Sequence, residues 1–449
     1  MLRARSAVTR ARWQAGRQRS AVASCQGDDV RLRSFALGRR LRRPFALGAP
    51  HSPILPAEPV LTDIAVPPAP VTARPGATAP TPPAKAPAKS AASKRLPFID
   101  ALRGIAAMWV VIFHIGEGGQ IATLQAVIPA WFNAAFFKAG HFGVPIFFVL
   151  SGFVIALSIG SDRVTAGYTG RFALRRAIRL DLPYWASIAI TLAFVATKAR
   201  MLPDTGVPIA TAAQVLAHMF YLQDFIGFKP INTVYWTLAF EIQFYLMFCA
   251  LLAVAHTFRS DENDRRPQAI VFTLAAITSV VWPLFLALHV RWPMIPDLYL
   301  RGLALPNWHG FLLGAFAFWS LKGVMRPRWF VLYALALTGV FAITHDSFTM
   351  VCITTATIIL LVGRAGKLSQ WFAARWLQFL GKVSYSVYLL HLPISGAAFW
   401  ALNKVLPHTP ALDVVATLIV IALNCVAAQL FWWSVERPST ALAKRLRKV

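Results

Sequence analysis

Apolar and polar positions divide the chain near residue 94. From Leu96 onward, apolar runs close to the ~20 residues needed to cross a bilayer core alternate with short polar stretches. They predict ten membrane spans, at 98–116, 139–159, 183–199, 235–256, 268–288, 303–321, 329–344, 349–363, 384–402 and 411–435. An eleventh candidate, 211–226, is broken by His218, Gln223 and Asp224 and reads as a re-entrant or interfacial segment. The predicted fold class is therefore all-α: a polytopic membrane helix bundle of about ten transmembrane helices, eleven if that segment crosses. The region before it cannot bury a core. Residues 1–43 carry twelve Arg, two acids and no Lys, with no signal-peptide core, and residues 50–92 hold twelve of the thirty prolines. Three regions are expected: a disordered Arg-rich then Pro/Ala-rich extension at 1–94, a transmembrane domain at 95–440 and a short basic tail at 441–449. The extension reads as a transit-like peptide or as upstream sequence translated from an early start codon, with a basic tail on anionic lipid as the specific alternative.

Composition excludes a soluble enzyme: 57% of the 449 residues are hydrophobic, 14% are charged and mean hydropathy is +0.55. The net charge of +27 would suggest nucleic-acid binding, but its placement argues otherwise. Loops after even-numbered spans hold fifteen Lys/Arg and five acids, whereas those after odd-numbered spans hold six and five. Lys and Arg are retained on the cytoplasmic side, so both termini are expected there and no nucleic-acid partner is predicted. The four cysteines are isolated and offer neither a disulfide framework nor a metal-ligand spacing.

Ionisable residues inside spans are costly in hydrocarbon and become candidate sites. The first span carries Arg103 and His114, which share one helix face roughly 16 Å apart along the axis. The plain structural reading is a snorkelling arginine and an interfacial histidine. In the second span, Ser151-Gly152 reads best as a close-packing motif. Before the third, Arg175-Arg176-x-x-Arg179 puts Arg176 and Arg179 one turn apart, either a fork for phosphate oxygens or ordinary topology marking. Glu241 is expected about two turns into the fourth span, level with His114, and could pair with Arg103, His114 or His309 or accept a proton. His391 lies in the ninth span, and Glu436-Arg437-Pro438 reads as a helix-end ion pair.

Together these stretches resemble the integral-membrane acyltransferase family 3. The resemblance rests on Asp100-x-Leu-Arg103-Gly104, Arg103-x10-His114, the Phe-Phe-Val-Leu-Ser151-Gly152-Phe run, Arg176-x-x-Arg179, Trp236 to Tyr245, Ser384-Tyr385 through His391-x-Pro393, and Glu436-Arg437-Pro438. It covers about residues 96–440. Many relatives have two adjacent acids where this chain has Glu241-Ile242, and an Asp where Pro145 stands. Some carry a fused esterase-like domain, which is not expected here.

The resemblance implies a membrane O-acyltransferase of the bacterial inner (cytoplasmic) membrane. The donor would be acetyl-CoA or another acyl-CoA, and the acceptor a hydroxyl of a glycan, glycolipid or small molecule, with no metal. His114, Glu241 and Arg103 are the implied catalytic residues, with His114 as general base. Arg176, Arg179 and Arg175 would hold CoA phosphates, and Trp236, Gln243, Tyr245 and His391 are candidate acceptor contacts. Direct transfer is favoured because no Ser or Cys sits beside a base in a recognisable motif. The competing class is a transporter or flippase lined by the same residues, disfavoured by the lack of an internal repeat between the two halves. A chain starting at residue 94 is expected to reach the membrane and keep its activity, measured as product formed per inserted protein. A loss would assign the extension a role.

Overall fold

The computed structural model describes residues 96–159, 166–203, 208–261, 264–287 and 302–446. The expected extension at 1–94 and most of the stretch 289–302 lie outside the described residues. Among these, nine helical segments are long and apolar enough to cross a membrane, and the described elements are all helical. The long helices are α1 (Pro97–Glu117), α2 (Gly143–Ile159), α3 (Ala166–Met201), then, after the short α4 (Ala212–Met219), α5 (Trp236–Thr257) and α6 (Arg266–Ala287). They continue with α7 (Trp308–Leu321), α8 (Pro327–Thr344), α9 (Ser347–Arg364), α10 (Arg375–Leu402), α11 (Pro410–Phe431) and the terminal α12 (Arg437–Arg445).

Three elements depart from the sequence expectation. The sixth predicted span folds as α7, only 14 residues after a 3-10 turn, and every residue from Trp308 to Ser320 is buried. It is about 21 Å long. A helix that is apolar all round reads the same whether lipid or protein surrounds it, and here protein does. The third span does not begin at 183, because α3 starts at Ala166 and runs through Pro183. The arginines expected one helical turn apart ahead of the span are thus part of the same continuous helix as the span itself. Pro183 supplies no N–H, so the Arg179 carbonyl loses its helical donor, a local break that membrane helices tolerate where protein surrounds it. At the chain's end, α11 passes through a π turn (Trp432–Glu436) into α12, which packs on α3. The boundary expected at 440 therefore falls inside a packed helix.

The eleventh candidate is α4 followed by the turn Gln223–Ile226, too short to cross. His218, fully buried, secures it: the Ile231 N–H donates to Nε2 at 3.0 Å, so Nδ1 carries the proton and donates to the Gln214 carbonyl at 2.7 Å. Burial lowers the pKa of this imidazole, consistent with a neutral structural role.

Two close crossings organise the bundle. Gly104 of α1 lies against Gly381 of α10, and a Cβ there would sit 2.6 Å from the Gly381 nitrogen. Ten residues further along both helices, His114 meets His391, so α1 and α10 are parallel and in register. In the second crossing, α2 and α7 are antiparallel: a Cβ on Gly152 would overlap the Phe311 carbonyl, and one on Gly314 the Val149 carbonyl. Small residues let helix backbones touch where no hydrophobic drive separates protein from lipid. Around that second contact, Phe148 and Phe244 stack on Phe311 at 4.3 and 4.2 Å.

Gly152→Ala is expected to lower the melting temperature of the detergent-solubilised protein by several degrees, since overpacking costs ~1–3 kcal/mol and the obstructing atom is backbone. Gly339→Ala on α8, where a Cβ meets nothing within 4 Å, should leave it unchanged or raised.

Candidate active site

The polar residues of the bundle core form two groups, joined through Tyr388. The first surrounds a cavity of about 50 Å³ between α1, α2, α5 and α10, lined by Arg103, Ser151, Thr237, Glu241, Ser384 and Tyr385 among others. That volume holds a few waters. Glu241 Oε1 accepts hydrogen bonds from Ser151 Oγ at 2.9 Å and from the Tyr245 hydroxyl one turn further along α5. Ser151 and Gly152, adjacent on α2, thus do different work: the glycine packs against α7 while the hydroxyl turns to the carboxylate.

Tyr245 has a second role. The Arg176 guanidinium sits over its ring, 4.1 Å from the centroid, with the Phe172 ring at 5.8 Å on the same helix as the arginine. Part of the Arg176 side chain remains accessible, but Nε and Nη2 are shut off from solvent and have no hydrogen-bond partner. Arg179, one turn on, faces the same interior, where it feels Arg176, Arg103, Glu436 and Glu241 electrostatically. Arg175 lies about 100° around the helix from Arg176, off that face.

Glu436 joins this group, against the expectation of an ion pair with Arg437. It is 9% exposed, accepts a 2.6 Å bond from Ser386 Oγ and lies within electrostatic reach of Arg103 and Arg179. Arg437 instead faces the Trp432 ring at 6.0 Å. The π turn at 432–436 sends two neighbouring residues to opposite sides, which helical periodicity alone does not foretell. Three arginines and two glutamates from four helices therefore converge, an excess of positive charge with unsatisfied donors.

The second group lies nearer the other end of α1. The His114 ring is 5.1 Å from that of His391, edge to face, and 4.9 Å from Phe113, whose other neighbour is His141 at 5.5 Å. His391 is fully buried and its Nδ1 meets the Tyr388 carbonyl at 2.9 Å. Tyr388 separates the groups: its hydroxyl is 2.7 Å from Thr237 Oγ1 and donates to the Val234 carbonyl at 3.2 Å, while Phe147 packs edge-on against its ring. The cavity ends at Tyr388, and His114 does not line it.

Several sequence expectations change accordingly. Glu241 is not level with His114 but shares the cavity with Arg103, because α5 begins at Trp236, beside Thr237 and Tyr388, and carries Glu241 a further turn toward the arginines. His309 does not approach Glu241; its Nε2 is 3.1 Å from Thr349 Oγ1, which donates to the α9-capping Asp346. Gln243 is consumed structurally, its amide bridging the Gly302 carbonyl and the Ala304 N–H ahead of α7. Trp236 packs on Phe240 and Phe148 without lining the cavity. Sequence reasoning passed over Tyr388, Ser386 and Glu436 as site residues. Tyr388 and Ser386 share α10 with His391, and Glu436 was an acid near an apolar run, a signal given a simpler explanation.

A family model described as an acyltransferase domain matches residues 96–433. O-acetyltransferase OatA of Staphylococcus aureus, from strain NCTC 8325 and from strain COL, is 24% identical over 333 residues, 67% of this chain and 50% of the relative. The chain spans about half the length of these curated relatives, and no solved structure matches it. The matched region runs from the start of α1 into the π turn after α11 and takes in Arg103, His114, Arg176, Arg179, Glu241 and His391. On that coverage, the chain belongs to the acyltransferase-domain family, as a multi-pass membrane member of it.

Proposed function

We propose that this chain is a membrane O-acyltransferase that moves an acyl group, most simply acetyl, from acyl-CoA to a hydroxyl of a glycan, glycolipid or similar acceptor. One observation carries the reading: Arg176 presents enclosed, unpartnered guanidinium donors beside Arg103 and Arg179. Leaving such donors unpaired is costly, and a phosphorylated ligand satisfies them. The excess of Lys and Arg in the loops on that side supports a cytoplasmic location for the donor, with both termini on the same side.

The acceptor O–H gives its proton to a ring nitrogen of His114, the hydroxyl oxygen bonds to the thioester carbonyl carbon, and the C–S bond breaks to release CoA thiolate, which takes up a proton. A histidine suits this task near neutral pH. Glu241, held by Ser151 and Tyr245, offsets the charge of the arginines and can accept from amide N–H groups of the donor arm. Arg103, at the cavity wall, is placed to stabilise negative charge on a thioester oxygen. A cavity of about 50 Å³ does not accommodate the donor arm, so loading requires helices around Tyr388 and Phe147 to part.

Purified protein in lipid is expected to release free CoA from acetyl-CoA in an acceptor-dependent way, with acylated product identified by mass spectrometry. His114→Ala should lower turnover by at least ~10²-fold while the protein still inserts and elutes as a single species. Undiminished product from that variant overturns the base assignment. Replacing Arg176 and Arg179 together by Gln should raise the KM for acyl-CoA about tenfold or more and leave that for the acceptor unchanged. An equal rise in both points to a folding role for the pair. Acceptor transport without CoA release would favour the transporter reading.

A further inference from the structure

Two facing imidazoles in the second polar group carry unpartnered buried nitrogens. His391 donates from Nδ1 to the Tyr388 carbonyl at 2.9 Å, which fixes its neutral tautomer and leaves Nε2 with a bare lone pair. That Nε2 is fully buried and meets no donor. The neighbouring ring is His114, centroid 5.1 Å away, and its Nδ1 is likewise buried without a partner. His114 as a residue keeps partial exposure, so its ring has one enclosed nitrogen and one edge open to an incoming group. With the His391 ring held by the Tyr388 carbonyl, a 5.1 Å centroid separation leaves room for rotation of the His114 ring to turn its Nδ1 toward His391 Nε2.

We propose that His391 is the positioning residue for His114: its Nε2 accepts the His114 Nδ1–H, fixes the reactive tautomer with Nε2 free, and stabilises the imidazolium formed when His114 takes the acceptor proton. The inference rests on His114 being the base. No covalent bond changes at His391 and no proton leaves it. A carboxylate fills the corresponding place in Ser-His-Asp sites. Here a neutral imidazole does so, which avoids an added charge in the bundle core. The Tyr388 carbonyl orients the acceptor, completing a chain from Tyr388 through His391 to His114. The in-register contact of Gly104 with Gly381 keeps α1 and α10 at the spacing that brings the two rings together.

The titratable groups on surrounding elements include Tyr388 on α10, Tyr184 on α3, Tyr235 before α5, His141 and Lys138 in the segment beside Phe113, Glu117 at the end of α1, and Asp413 and Cys425 on α11, which packs on α10. α2 brings none. Among these groups, His391 Nε2 and His114 Nδ1 are the enclosed ring nitrogens that have no partner.

The test compares His391→Ala and His391→Gln in the full chain, reconstituted in lipid, by kcat, both KM values and the pH dependence of kcat/KM. Removing the acceptor should lower kcat about 10²-fold with both KM values within about twofold. It should also move the acid limb to lower pH, because losing a partner of the protonated ring favours the neutral one. His391→Gln, whose side-chain carbonyl can accept the same N–H, should recover at least tenfold of the loss. Unchanged kcat and acid limb in His391→Ala, with His114→Ala inactive, overturns the positioning role and leaves the base assignment standing. Full activity in His114→Ala removes the reading beneath both. Equal losses in the Ala and Gln variants, with raised KM values and an unmoved acid limb, assign His391 a packing role and overturn the inference. Should His391→Ala fail to elute as a single species, the Gln variant decides alone: wild-type-like KM values with a shifted acid limb support the proposal, and an unshifted limb overturns it.

Discussion

Everything polar in this bundle depends on how closely α1 approaches α10. Gly104 and Gly381 have no side chains between them, and a single methyl on either would collide with opposing backbone. Because the helices are parallel, that contact sets a common register along their whole length. It places Arg103 by the wall containing Ser384 and Tyr385, and three turns later places His114 on His391. A slip of one turn would set His114 at the level of Val387 and break both groups at once. The α2–α7 crossing does the same for the other wall, where Gly152 fixes α2 so that Ser151 reaches Glu241. The geometry of the polar groups is a consequence of glycine placement on neighbouring helices, which is why the charged residues themselves need no rigid loop to hold them.

The charged group poses an energetic question that packing answers in part. Each buried ion costs several kcal/mol of desolvation, and the pairings repay it only where remaining donors are satisfied. Glu436 has Ser386, Glu241 has Ser151 and Tyr245, and Arg176 has an aromatic face. The Arg176 nitrogens remain over. Other buried polar atoms also lack partners, the His114 and His391 nitrogens among them, but the Arg176 donors are the ones that coincide with the convergence of three arginines. On the proposed reading, a ligand bearing phosphate would remove that penalty on binding.

Much of this was legible in the sequence. Apolar runs gave the order of the crossing helices, and the eleven-residue spacing put Arg103 and His114 on one face because helical period is a local property. What was not legible depended on neighbours. Apolarity does not distinguish α7, enclosed by protein, from a lipid-facing span. α3 begins before the expected span because a run of arginines ahead of a proline interrupts the apolar pattern without interrupting the helix, and the rings of Phe172 and Tyr245 give the Arg176 charge a place inside. Glu436 was assigned to its sequence neighbour, since the π turn that sends it to Ser386 leaves no local signature. The depth of Glu241 was misjudged for a related reason: the membrane level of a residue follows from where its helix begins relative to others.

The division made by Tyr388 bears on how the two polar groups act together. Its hydroxyl is held by Thr237 and Val234 of the α5 entrance, its ring by Phe147 of α2, and its carbonyl by His391. One residue thus closes the cavity and orients the histidine pair from opposite ends of its own structure. The side-chain contacts can break while the backbone contact persists, because the carbonyl belongs to the helix and the hydroxyl does not. Rotation of the ring away from Phe147 would connect the arginine-lined cavity to His114 without disturbing the hydrogen bond that sets the His391 tautomer. The cavity and the histidine pair thus share one residue, Tyr388, whose side chain lines the first and whose carbonyl orients the second.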